Sequence, residues 1–133
     1  MNCFSKNYNF ISIIFFFLNI NIAIADQCPS AETVKERKIS REYDWSIDER
    51  QTLEDVLAVE KLYSVRIKNR GEFVACYYTS NNRSLRLDGT GIEENCTINK
   101  KSGDWIESEN GEQVCKEPDL SQCIYEMHCE KVE

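Results

Sequence analysis

Seven cysteines, one histidine and 23 acidic residues are the side chains of this 133-residue chain that could act as nucleophile, base or metal ligand. The single histidine, His128, stands beside Cys129. A Cys–His nucleophile needs the two side chains facing each other within hydrogen-bond range. Neighbours in a helix point about 100° apart, and chain ends such as this one fray. A zinc site drawn from Cys115, Cys123, His128 and Cys129 would have ligands eight, five and one residue apart, without the two close ligand pairs of a structural site. Glu54-Asp55, Glu93-Glu94 and Asp104 with Glu107 are candidate carboxylate pairs for glycoside hydrolysis. In a chain this acidic, such neighbours also arise by chance. There is no glycine-rich phosphate loop and no Gly-x-Ser-x-Gly elbow. We therefore expect no catalytic residue, no metal and no cofactor, with a small carboxylate-dependent hydrolase as a rival reading.

The cysteines have a different chemistry once the N-terminus is read. Phe10 to Leu18 is an apolar run, Lys6 is the only charge before Asp26, and Ala23-Ile24-Ala25 has the small-x-small form of a cleavage site. That is a secretory signal peptide. Asn19 and Asn21 interrupt the run, and a span needs ~20 apolar residues, so no stable membrane insertion is expected after cleavage. The expected organisation is a signal peptide over 1–25 and a single exported domain over 26–133, periplasmic or secreted. Losing Lys6 makes the formal charge of −7 one unit more negative. Such a chain repels phosphate backbones, so nucleic acid is not an expected partner.

Cys3 leaves with the signal peptide, and six cysteines remain. An even number in a small exported domain implies disulfides, which a domain short of core needs. Six thiols allow fifteen pairings. Cys123 and Cys129 would sit on nearly opposite faces of a helix, or about 20 Å apart along a strand. A bridge needs Cα atoms within about 7 Å. Cys115 and Cys123 are separated by a turn-rich segment that can close. Cys28 with Cys76 would tie the start of the domain to its central strand. Cys96 with Cys129 remains.

The elements that must position these cysteines centre on Glu72 to Thr79, rich in aromatic and β-branched residues and bracketed by Asn69-Arg70-Gly71 and Ser80-Asn81-Asn82. Tyr63 to Ile67 before it and Ser84 to Leu87 after it alternate in polarity, so three antiparallel strands are expected. Phe73, Ala75 and Tyr77 would face one way and Val74, Cys76 and Tyr78 the other. Ser30 is a candidate N-cap for a short helix through Arg37, and Thr52 with Asp55 resembles a capping box for a second helix over 52–61. Tyr43 and Trp45 read as a polar loop, as does Asp88 to Gly91. Cys96 to Ile98 reads as a short strand and Lys100 to Asp104 as a turn. Asn110-Gly111 predicts a type I′ hairpin between Trp105 and Cys115. Leu120 to Glu130 fits a helix or a closing strand. The fold class is α+β: a small disulfide-stapled domain dominated by an antiparallel sheet, with one or two short helices. Asn82-Arg83-Ser84 and Asn95-Cys96-Thr97 are glycosylation sequons.

Cys28-Pro29, Trp45, Cys76-Tyr77-Tyr78, Trp105, Cys115 and Cys123-Ile124-Tyr125 together resemble a family of small exported bacterial domains of unknown function. The resemblance covers most of residues 28–125. It implies an architecture and an exported location but no mechanism, and it would make the sequons coincidental. The expected function is a non-enzymatic binding module for a protein or envelope component, acting through a sheet face or loop. The rival is an inhibitor of a secreted hydrolase, using the loop from Asp88 to Asn95 with its two glycines and an exposed Ile92.

Overall fold

The computed structural model describes residues 24–39, 43–91 and 95–130. Two antiparallel sheets and two short helices surround one core. The larger sheet has the order β2-β5-β4-β3-β8-β7, built from β2 (Tyr43–Ile47), β3 (Val59–Lys68), β4 (Phe73–Ser80), β5 (Arg83–Gly91), β7 (Trp105–Glu107) and β8 (Gln113–Cys115). The smaller sheet has the order β1-β9-β6, from β1 (Ile24–Asp26), β6 (Cys96–Ser102) and β9 (Ile124–Cys129). The helices are α1 (Ala31–Lys35) and α2 (Leu53–Leu57).

The three strands expected around residue 76 are β3, β4 and β5, and β4 is the centre of the fold. Val74, Cys76 and Tyr78 are fully buried. They pair across β3 with Ile67, Val65 and Leu62, and across β5 with Gly89, Leu87 and Leu85. This inner face meets Ile98 of β6, Tyr125 and Met127 of β9, Val34 of α1 and Val56 of α2 in one apolar cluster. Buried aliphatic and aromatic groups of this size each contribute on the order of 1.5–3 kcal/mol. Asn81 and Asn82 close the β4–β5 hairpin with φ of 49° and 60°, positive at both central positions as in a type I′ turn. Asparagine tolerates that conformation better than most residues.

Both helices are short because their apolar content is small, and each is fixed by its cap. Ser30 accepts from the Thr33 amide at 3.1 Å. Thr52 and Asp55 form the reciprocal capping box, with bonds of 3.3 and 2.9 Å. The second helix ends at Leu57 and not at Lys61, because Val59 is already paired with Ser80 in the sheet. The first ends at Lys35, short of Arg37, whose φ of 57° is left-handed.

Several loop readings give way to strands. Tyr43 and Trp45 lie on β2, and Asp88 to Gly91 continues β5 against it. Glycine read as a turn signal at Gly89, but its role is close approach: a Cβ there would stand 2.6 Å from the Trp45 ring. Lys100 to Ser102 stays in β6, and only Gly103 turns, with φ 103°. After a 3-10 turn over Leu120–Gln122, the last segment is the strand β9. The β7–β8 hairpin exists, but its turn is not type I′. The Gly111 amide donates to Ser108 O at 3.0 Å and the Ser108 amide to Glu112 O at 2.8 Å. Only Gly111 has positive φ, at 83°. This is a three-residue loop, a turn followed by a left-handed glycine.

Three disulfides join Cys28 to Cys76, Cys96 to Cys129 and Cys115 to Cys123, with Cα separations of 5.9, 4.0 and 6.0 Å. These are the pairs expected from the chain. The first anchors α1 to the central strand, beside a hydrogen bond of 2.6 Å from the Tyr78 hydroxyl to Pro29 O. The second links directly opposed residues of β6 and β9. The third closes the bend between β8 and β9.

Candidate functional site: the outer face of the larger sheet

Strand alternation places Phe73, Ala75, Tyr77 and Thr79 opposite the core face of β4. Their partners on β3 are Lys68, Arg66, Ser64 and Lys61, and on β5 Asp88 lies beside Ala75, Arg86 beside Tyr77 and Ser84 beside Thr79. Phe73 and Tyr77 are half-buried, while Ala75 is fully covered by its longer neighbours.

β3 carries an irregularity between Leu62 and Ser64, where both Tyr63 and Ser64 stand against the single residue Tyr77. A bulge adds one residue to a strand without changing the pairing on either side. Here the added residue is Tyr63, which is 45 % exposed. Its ring centroid is 6.0 Å from that of Tyr77, and its hydroxyl bonds the Ser84 hydroxyl at 2.6 Å. Lys61, Leu62, Ser64 and Val65 would alternate without it.

Cations gather around these rings. Arg66, Lys68 and Arg86 lie 5.6, 5.7 and 5.7 Å from the Tyr77 centroid, and Arg86 is also 5.4 Å from that of Phe73. Such contacts are favourable by about 0.5–1 kcal/mol when exposed. Two carboxylates hold the cations in place. Glu112, on the β7–β8 loop, accepts from Arg66 and Lys68 at 3.3 Å each. Burial pushes its carboxyl up, and the two cations outweigh that and hold it below the ordinary value. Asp88 accepts from Arg86 Nε at 2.7 Å, and that bond raises the already high Arg86 value. Arg66 Nε also reaches Ser64 Oγ at 3.3 Å. Among the described residues, the two terminal nitrogens of Arg86 have no hydrogen-bond partner.

Arg86 and Asp88 also line a hollow of about 550 Å³ with Ser46, Asp48 and Arg50. Arg50 holds Asp48 with two side-chain bonds of 3.0 and 3.1 Å. Its side-chain hydrogen bond takes the Asp48 carboxyl down to about 2.

The other candidates stand elsewhere. Cys129 is in a bridge, and His128 Nε2 is 2.9 Å from Glu126 Oε1 on the small sheet. Among the described residues, no group of three or more His, Cys, Asp or Glu side chains is placed to hold a metal ion. Within the loop from Asp88 to Asn95, residues 88–91 belong to β5, and Ile92, Glu93 and Glu94 lie outside the described residues. The split of Phe73, Ala75 and Tyr77 from Val74, Cys76 and Tyr78 was readable, and so was the lesser burial of one set. The cations do not stand out in the sequence. Their signal is a period of two: Ser64, Arg66, Lys68 on one strand and Ser84, Arg86, Asp88 on another. Comparison with family models, curated proteins and solved structures finds no match.

Proposed function

We propose that the chain is an exported, non-enzymatic binding module that engages its ligand through the outer face of the larger sheet. The observation that carries this reading is the Tyr63 bulge, which adds an exposed aromatic ring to a face where Tyr77, Phe73 and three cations already converge. Bulges recur where a sheet re-aims a side chain for use. The bulge does nothing for the core, since Leu62 and Val65 point inward on either side of it. The three disulfides favour an oxidising compartment, and the signal-peptide pattern and the likeness to small exported bacterial domains point the same way. Nothing on the face is arranged as nucleophile and base, and its carboxylates are occupied by cations, so noncovalent recognition is the chemistry that it suits.

The test is amide-shift mapping on the oxidised domain during titration with soluble envelope polysaccharide and peptide fractions. Shifts confined to Ser64–Lys68, Phe73–Thr79 and Ser84–Asp88, and abolished in Tyr77→Ala, are the expected result. A saturable ligand whose shifts fall only on the small sheet or the 88–95 segment would overturn the reading.

A further inference from the structure

We infer that the ligand of this face is an acidic saccharide, its carboxylate held by the terminal nitrogens of Arg86 and its ring laid on Tyr77 and Tyr63. This rests on the binding-module reading and names the class of ligand.

Three observations converge on it. The first is the free fork of Arg86. Guanidinium presents five N–H donors in a plane and matches a carboxylate through two parallel bonds. Arg86 commits only Nε, to Asp88, and its side chain is 35 % exposed. It is held by contact with Phe73 and Tyr77 on one side and by the Asp88 bond on the other. A fork fixed in this way loses little freedom when an oxyanion arrives.

The second is the charge balance. Arg66, Lys68 and Arg86, with Lys61 on the same face, outnumber Glu112 and Asp88 on a chain whose formal charge is −7. Local charge is complementary to a carboxylate. The field beyond about 8 Å is that of an acidic protein. An isolated carboxylate at short range is favoured, and a long polyanion such as nucleic acid is not.

The third is what surrounds the fork. Ser64, Ser84 and Thr79 supply hydroxyls on the same face. The adjoining hollow has Glu49 and Asp88 on its walls; Arg86 takes only one oxygen of Asp88, which leaves acceptors there for a ligand rich in hydroxyls. An acidic peptide brings few such donors. Peptides are also commonly read by main-chain pairing at a sheet edge, whereas Tyr77 and Thr79 lie on β4, whose two sides are taken by β3 and β5.

The test uses the intact oxidised protein and tetragalacturonate, with its methyl ester as the uncharged probe of the same skeleton and a tetraglutamate peptide as the carboxylate without the sugar. Calorimetry and amide shifts are read together. Tetragalacturonate is expected to bind saturably with shifts centred on Tyr77 and Arg86. Esterification, and Arg86→Gln in a variant that keeps its three bridges and near-UV spectrum, should each weaken binding by roughly tenfold or more, the scale of a lost charge-assisted hydrogen-bond pair. Tyr63→Ala should weaken it several-fold while leaving the preference for acid over ester intact. Equal binding of ester and acid, or equal binding by Arg86→Gln, would overturn the carboxylate assignment. Tetraglutamate binding in preference to the sugar would overturn the saccharide. In both cases shifts on the outer face keep the binding-module reading. No shift on that face with any of the three probes overturns the inference, and the envelope titration then decides the broader reading separately.

Discussion

Gly111 and Glu112, adjacent in sequence, do unrelated work. Gly111 has φ of 83° and nothing within 4 Å of where a Cβ would be, so a side chain there meets no neighbour and the cost is purely that of the backbone. Left-handed geometry costs an L-residue about 1–2 kcal/mol. Gly111→Val should therefore lower stability by about that amount, read as a shifted thermal or urea midpoint with an unchanged bridge pattern. An unshifted midpoint would mean that the loop is not held in this turn. Glu112 ties the same hairpin to β3 through Arg66 and Lys68. Its folded value lies below the ordinary 4.5. A carboxyl depressed on folding contributes stability above its unfolded value, and that contribution is lost as pH falls through the lower folded one. Melting temperature should drop on acidification below about pH 4.5 in the wild type. Glu112→Gln should start lower at neutral pH and fall less steeply over the same interval. Parallel curves for the two proteins would show that Glu112 is not the titrating group.

At the scale of the strand, the bulge makes a prediction that runs against the usual rule for deletions. Removing one residue from a strand turns every side chain beyond it to the other face. Removing Tyr63 restores the alternation of Lys61, Leu62, Ser64 and Val65 that the bulge interrupts. The Tyr63 deletion should fold with all three bridges, whereas deletion of Arg66, inside the regular ladder, should not. Oxidative refolding yield and near-UV circular dichroism distinguish them, and two equally misfolded products would argue against the bulge. The same strand shows what can and cannot be read from residues alone. The alternation of Ser64 to Ile67 and the density of Glu72 to Thr79 announced the central sheet, because a half-buried strand writes its two faces into every second position, while Tyr63, in step with Val65 and Ile67 in the sequence, stands on the opposite face. The bulge was invisible because it obeys no period. β2 and the end of β5 read as loops, because Trp45 beside polar residues and glycine at 89 and 91 are turn-like when seen singly. Only pairing shows that Gly89 makes room for the Trp45 ring. The candidate site was legible as aromatics on one face of β4. Its cations were not, since arginine and lysine at alternate positions describe any solvated strand until a neighbour supplies the ring.

For the whole molecule, the three bridges differ in reach. Cys28, Cys76, Cys115 and Cys123 are all buried, while Cys129 is exposed and Cys96 partly so. Thiol–disulfide exchange requires access of the attacking thiolate. Limited exposure of the native protein to reductant, followed by alkylation and mass spectrometry, should label Cys96 and Cys129 first. The other four should be labelled only as the domain unfolds, since each buried bridge contributes ~2–4 kcal/mol in a domain this small. Simultaneous labelling of all six would overturn this order. The larger sheet should then survive, because the labile bridge lies wholly within the smaller one.

β1 holds a consequence for the order of events in the life of the chain. Its three residues, Ile24, Ala25 and Asp26, pair with Met127, Glu126 and Tyr125 along the edge of the small sheet, and the expected cleavage site lies between the second and third. A peptidase binds its substrate as an extended strand, and here that strand already has a partner contributed by the far end of the chain. If the chain is cleaved after Ala25, the small sheet and the processing enzyme compete for the same residues, and timing settles the contest. Cleavage during emergence finds the segment alone, because β9 is the last strand to arrive. A chain that folds uncut would hide the expected bond in a strand. Unfolded, reduced precursor should be processed to a product beginning at Asp26, and refolded precursor should resist, as N-terminal sequencing of each would show.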